Sequence, residues 1–210
     1  MSALDLAAFR AIPLVRTPFE YLILPGFIKS AALAGIHVDY PRVPRPGSFP
    51  LSEVQFGPAF GSLIDELQGN EMRTAFEEKF RLDLSDRPTM VTVRGHSWEK
   101  DGNIHTDAVS KIITVLIYMN PAWESGGGRL RLLRSPTDME DFFVEIPPTE
   151  GTLVAFRRRG NSYHGHKQFI GERRVIQLNW VTDAGTVRRE IMRHRVSAWM
   201  KKLLPLKRAA

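Results

Sequence analysis

The sequence predicts a mainly β protein with flanking helices, an antiparallel architecture of the jelly-roll kind. Three observations carry that expectation: seven short strand-like runs follow Pro88, Gly/Pro turns separate them with no helical stretch between, and two runs of helical period precede them. At 210 residues with 43% hydrophobic content the chain can bury one substantial core and is short for two. It reads as a single domain: an N-terminal support region at 1–87, a β core at 88–182, and a C-terminal basic helix and tail at 183–210.

In chain order, Ser2 to Arg10 suits a short helix capped by Ser2, FEYLILPGF a strand closed by Pro25-Gly26, and IKSAALAGI a helix. Four prolines among residues 40–50, YPRVPRPGSFP, indicate an irregular loop, since each removes a backbone donor. Phe60, Leu63, Ile64 and Leu67 recur at helical spacing, as do Met72, Ala75, Phe76 and Phe80 behind Asn70 as cap. The strand candidates are TMVTVR, KIITVLIYM, GRLRLL, FFVEI, GTLVAF, SYHGH and RRVIQLNWV. The closing stretch aligns Met192, Val196, Trp199, Met200 and Leu203 on one side of a basic helix, read as a lid packed on the barrel.

The net charge of +6 is local. Residues 186–208 hold eight Lys/Arg against Glu190 alone, a balance of +7, so the rest of the chain sums to −1 and offers no broad phosphate-binding face. No window holds the roughly 18 apolar residues of a membrane span, and the first residues lack a basic export leader, so the expected location is cytoplasmic. With no cysteine, any metal must be held by nitrogen and oxygen. Nothing in the sequence sets the oligomeric state.

The stretch DGNIHTDAVSKIITVLIYMN places His105 and Asp107 just before a long apolar run, where a buried carboxylate is costly unless paired. In an extended chain residues i and i+2 share a face, so both would aim at one point. NSYHGHKQF supplies His164, and two histidines with one carboxylate form the facial triad suited to non-haem Fe(II), with positions left open. In RRVIQLNWV, alternation puts Arg174, Ile176, Leu178 and Trp180 on one face and Arg173, Val175, Gln177 and Asn179 on the other. The apolar face is taken as the inner one, and an arginine held inside it needs an anion that its guanidinium can grip. In KIITVLIYMN, Ile112, Thr114, Leu116 and Tyr118 align, with the phenol able to donate to that anion. Together these groups call for a dicarboxylate that chelates iron at one end and meets Arg174 at the other.

These residues resemble the Fe(II)- and 2-oxoglutarate-dependent dioxygenases of the prolyl-4-hydroxylase-like branch, through HTD, TVLIYMNPAWESGGGRLRL, GTLVAFRRRGNSYHGH and RRVIQLNWV. PFEYLILPGFI is similar to the family's first strand, and the resemblance spans residues 18–182. It implies a distorted double-stranded β-helix, cupin-like, with His105, Asp107 and His164 as iron ligands. Arg174 would partner the distal carboxylate of 2-oxoglutarate, Tyr118 would be a second donor to it, and Thr114 and Leu116 would line its pocket. The implied cofactors are Fe(II), 2-oxoglutarate as cosubstrate and O2, with ascorbate as a stimulant. The implied reaction is hydroxylation of an unactivated C–H bond with release of succinate and CO2. Asp107 supports hydroxylation, because related halogenases carry a small residue there to admit chloride.

Two departures weigh against a peptidyl-proline substrate. TMVTVRGHSW offers Arg94 and His96 where prolyl hydroxylases often have a tyrosine, and Leu178 stands where a small or hydroxylated residue frequently touches the cosubstrate. His166 shares a face with His164, but a fourth ligand would close a position that oxygen needs, so it reads as a neighbour of the ligands. The substrate classes left open are a small molecule, a peptide or a sugar. One alternative is a demethylase of the same chemistry acting on nucleic acid or protein, with nucleic acid disfavoured by the nearly neutral body. The other is a non-catalytic cupin-like metal-binding or sensor module.

Overall fold

A computed structural model describes residues 2–43, 45–189 and Met192. The N-terminal region is helical with one early strand. Helix α1, Leu6–Ala11, is capped by Asp5, whose carboxylate accepts the Ala8 N–H at 2.9 Å. Ser2, the expected cap, instead donates to Glu66 on a distant helix. Strand β1, Tyr21–Leu24, is followed by α2, Ser30–Asp39. The proline-rich segment is not wholly irregular: Phe49–Pro50 forms a short strand, β2, paired with Val93 and Thr92. Proline is tolerated there because β2 lies at a sheet edge, where a missing donor breaks no ladder.

Helices α3, Pro58–Gln68, and α4, Asn70–Phe80, bury the two apolar sets read from their spacing. Proline opens α3, where its missing N–H costs nothing, and Arg81 ends α4 in the left-handed region. The N-cap of α4 is Gly69 rather than Asn70, without a side-chain bond.

All seven strand candidates form: β3 Thr89–Ser97, β4 Lys111–Tyr118, β5 Leu130–Leu133, β6 Phe142–Ile146, β7 Leu153–Arg157, β8 Tyr163–His166 and β9 Gly171–Val181. They build two antiparallel sheets, a large one in the order β1-β7-β4-β9-β3-β2 and a small one in the order β6-β5-β8. This is the double-stranded β-helix, and the segment before Pro88 contributes two strands to its larger sheet.

The large sheet is apolar on both faces, which explains why its strands read as nearly continuous hydrophobic runs. One face, with Ile113, Val115, Ile117, Ile176, Leu178 and Trp180, packs under the helices, where the Trp180 and Phe76 ring centroids stand 4.8 Å apart. The other packs against the small sheet through Tyr118, Val154, Phe156 and Val175, facing Leu130, Leu132 and Ile146. The space between the sheets opens at one end into a cavity.

Residues 184–189 are helical, started by Asp183, which accepts the Thr186 N–H at 2.9 Å. Met192, expected on a packed stripe, is 62% exposed, and Val196, Trp199, Met200 and Leu203 lie outside the described residues. Among the described residues no helix is long and apolar enough to cross a membrane.

Candidate active site

The histidines of the expected triad are brought together by the backbone. His105 forms an isolated antiparallel bridge with His164 at the start of the apolar run, while Asp107 follows in loop conformation rather than in a strand. One potential ligand atom from each of His105, Asp107 and His164 lies within 4.8 Å of the others. Each imidazole is oriented by its Nδ1, which meets the Asn103 carbonyl at 2.9 Å for His105 and the Ser162 carbonyl at 3.0 Å for His164. A carbonyl accepts only, so both Nδ1 atoms carry a proton, and in the neutral ring that leaves the lone pair on Nε2.

The electrostatics suit a cation. Burial pushes the His164 imidazole down to about 4 against the pull of Asp107, so the ring is neutral at pH 7. Burial pushes the Asp107 carboxyl up, but Lys111, His164 and hydrogen bonds from Lys111 and Thr114 outweigh it and hold the pKa at about 2. Lys111 Nζ lies 2.6 Å from one carboxylate oxygen, and the Thr114 hydroxyl donates to the other. Two imidazoles and an ionised carboxylate, with no thiolate, fit Fe(II) and other borderline divalent ions.

A cavity of about 450 Å³ opens beside the triad, walled by Thr114, Leu116, Leu130, Val175, Gln177 and Arg173 among others. The arginine expected there, Arg174, is on the opposite face of β9. It is half-buried, paired with Glu172 and stacked over Tyr40 at 5.5 Å. Arg173 faces the cavity and is 5% exposed. The assumption that failed was that the apolar face must be the inner one: Ile176, Leu178 and Trp180 are buried under helices on the outside of the barrel. Leu178 therefore does not face the cavity, and the departure attributed to it passes to Gln177, which lines the wall four residues after Arg173.

Arg173 donates from Nε to the Gly128 carbonyl at 2.8 Å, and among the described residues no carboxylate lies within ion-pair distance of it. Beside it the wholly buried Tyr118 hydroxyl makes no hydrogen bond of ordinary geometry. Burial raises the pKa of this phenol, with Arg173 opposing, so it remains a donor. A buried guanidinium lacking an anion beside a buried phenol lacking an acceptor is an arrangement that one carboxylate of a ligand would complete. Leu116 lines the cavity as expected. Thr114 lines it too, but its hydroxyl is committed to Asp107.

His166 lines the cavity without joining the triad; burial and then Arg173 depress its pKa to about 4. Arg94 stands at the cavity and is paired with Asp101 at 2.9 Å. His96 is not among the wall residues. Sequence reasoning did not single out Lys111, Asn179 or Gln177 as site residues. The signal for the last two was available: polar side chains alternating along a buried central strand have no partners in a helical core, so they mark the side with the cavity.

Residues 93–182 match the family model of the 2OG-Fe(II) oxygenase superfamily, a span that holds the triad and Arg173. No curated protein sequence matches the chain. Among solved structures, a prolyl-4-hydroxylase from Pseudomonas putida is similar at a TM-score of 0.55 and 13% identity, covering 78% of this chain and 93% of its own. A viral collagen prolyl hydroxylase from Paramecium Bursaria Chlorella virus-1 gives 0.52 and 16%, covering 77% and 96%. A 2OG-Fe(II) oxygenase family oxidoreductase from Burkholderia pseudomallei gives 0.52 and 14%, covering 86% and 96%. At these identities the likeness is one of fold.

Proposed function

We propose that the chain is a 2OG-Fe(II) oxygenase, as the match over residues 93–182 supports, and hydroxylates a C–H bond of a small-molecule or peptide substrate entering the cavity beside His105, Asp107 and His164. The observation that carries this reading is a nitrogen/oxygen metal triad and an anion-seeking guanidinium in the walls of one cavity. When bound, Fe(II), 2-oxoglutarate and O2 supply the oxidising chemistry, with succinate and CO2 as coproducts.

The residues of the chain position these groups. His105 and His164 present Nε2 lone pairs, and Asp107 adds the charge that favours a dication. Arg173 would grip the distal carboxylate of 2-oxoglutarate, and Tyr118 would donate to it. Leu116, Leu130 and Val175 wall the intervening space, keeping water from competing for those hydrogen bonds. Asp107 would hold the metal at the position where related halogenases carry a small residue to admit chloride, which favours hydroxylation. The prolyl hydroxylases among the structural neighbours make a peptidyl proline one substrate class to test. A chain without cysteine and with an Fe(II) site suits the reducing cytoplasm.

The test is succinate formation by the purified chain with Fe(II), 2-oxoglutarate, ascorbate and O2, first alone and then with panels of peptides and metabolites. The expected result is Fe(II)-dependent succinate that rises with a substrate and vanishes in His105→Ala and Asp107→Ala. Metal-loaded wild-type protein forming no succinate under any of these conditions would overturn the reading.

A further inference from the structure

Asp107 is tied to the cavity wall by a hydrogen-bond chain that crosses two strands. Thr114 Oγ1 on β4 donates to Asp107 Oδ2, Asn179 Nδ2 on β9 reaches Thr114 Oγ1 at 2.9 Å, and Gln177 Nε2 reaches Asn179 Oδ1 at 3.1 Å. Thr114 and Asn179 sit directly opposite each other in the β4–β9 register, so the sheet itself sets their contact. Both are buried, at 1% and 0% exposure, while Gln177 is half-buried and lines the cavity.

The direction of every bond follows from its far end. A carboxylate that holds a metal only accepts, so the single Thr114 proton must point to Asp107. Thr114 can then only accept from its other neighbour, which fixes the Asn179 amide with nitrogen toward Thr114 and oxygen toward Gln177. That oxygen requires a donor, which commits the Gln177 nitrogen. The Gln177 carbonyl oxygen is left over, with no hydrogen bond among the described residues.

We infer that Asn179 and Gln177 are positioning residues for the metal ligand Asp107, acting through Thr114, and that the Gln177 carbonyl accepts an O–H or N–H donor of the substrate. At neutral pH 2-oxoglutarate carries acceptors alone, so it cannot satisfy this carbonyl and the substrate side is left to do so. The inference rests on the proposed metal site. It adds a route by which a substrate donor bears on the carboxylate that holds the metal.

The experiment titrates metal-free protein with Co(II), following its visible ligand-field absorption, and then titrates the Co(II) form with 2-oxoglutarate. Thr114→Val should weaken Co(II) binding by about tenfold, the scale for partners of metal ligands, and Thr114→Ser should restore it. Asn179→Leu should weaken binding by roughly fivefold and shift the absorption band, because the Asp107 carboxylate is freed to turn. Gln177→Leu, at the cavity wall where folding is least exposed to the change, should weaken it by about twofold and leave 2-oxoglutarate affinity unaltered. Wild-type Co(II) affinity and spectrum in folded Asn179→Leu, or in Gln177→Leu alone should Asn179→Leu not fold, would overturn the relay. Loss of 2-oxoglutarate affinity in Gln177→Leu would overturn the substrate-side assignment. Failure of wild-type protein to bind Co(II) would instead sink the metal-site reading.

Discussion

His105 and His164 face each other across an antiparallel bridge in which each backbone N–H reaches the other's carbonyl, at 3.0 and 2.9 Å. Their ring centroids stand 4.3 Å apart. The separation of the two imidazoles is thus fixed by main-chain pairing between segments 59 positions apart in sequence, and the rings themselves contribute nothing to that bridge.

His105→Ala should therefore keep the fold and lose the metal. The side chain is exposed and the bridge is backbone, so melting of the metal-free protein should shift by no more than about 0.5 kcal/mol. Metal content after Fe(II) or Co(II) loading, measured beside thermal unfolding, checks both halves of the expectation.

Gly165 allows the close approach on which the bridge depends. A Cβ there would meet the Gly102 carbonyl oxygen at 2.7 Å and the Asn103 carbonyl oxygen at 3.2 Å, in the segment that leads to His105. Gly165→Ala should cost about 2 kcal/mol of stability by overpacking and weaken metal binding by moving His105 away from His164. Unfolding by urea and a Co(II) titration of the same variant give the two numbers.

Metal-free protein should lose stability on acidification in two stages. His164 and His166 are depressed in the folded state to about 4 from an ordinary 6.5, so the unfolded chain binds more protons between those values. Their contribution is present above pH 6.5 and is lost as pH falls toward 4, on the order of 3 kcal/mol at most for each. Asp107 is depressed to about 2 from 3.8, so its contribution is lost below that range as pH falls further. Thermal unfolding from pH 7 to pH 4 checks the first stage, and His166→Gln should flatten it.

The strands of the barrel were legible because alternation and turn residues mark them locally, and the clustering of His105, Asp107 and His164 was legible because HTD and a downstream histidine are few residues with one shared chemistry. The face of β9 was not. Apolarity says that Ile176, Leu178 and Trp180 are buried but not under which layer, and in a sheet covered on both faces that distinction comes from long-range packing against Phe76 and its helix. The cap at Asp5 and the edge strand at Phe49–Pro50 were missed for related reasons. Ser2 was drawn away by Glu66, 64 residues distant in sequence, and β2 exists because β3 offers it an edge.

The most direct test concerns Arg173 and Arg174, adjacent in sequence and opposite in space. In the anaerobic Fe(II) complex, 2-oxoglutarate affinity is read from the metal-to-ligand charge-transfer band. Arg173→Ala should weaken binding by roughly 2 to 4 kcal/mol, the scale for removing one member of a desolvated charged pair, while Fe(II) binding stays near wild type. Arg173→Lys should recover part of the loss, because an ammonium cannot form two parallel hydrogen bonds. Arg174→Ala should leave 2-oxoglutarate affinity unchanged, since it gives up only its exposed partner Glu172 and its contact with Tyr40. Loss of the band in Arg174→Ala together with full retention in Arg173→Ala would contradict the assignment of the cavity face and with it the proposed cosubstrate site.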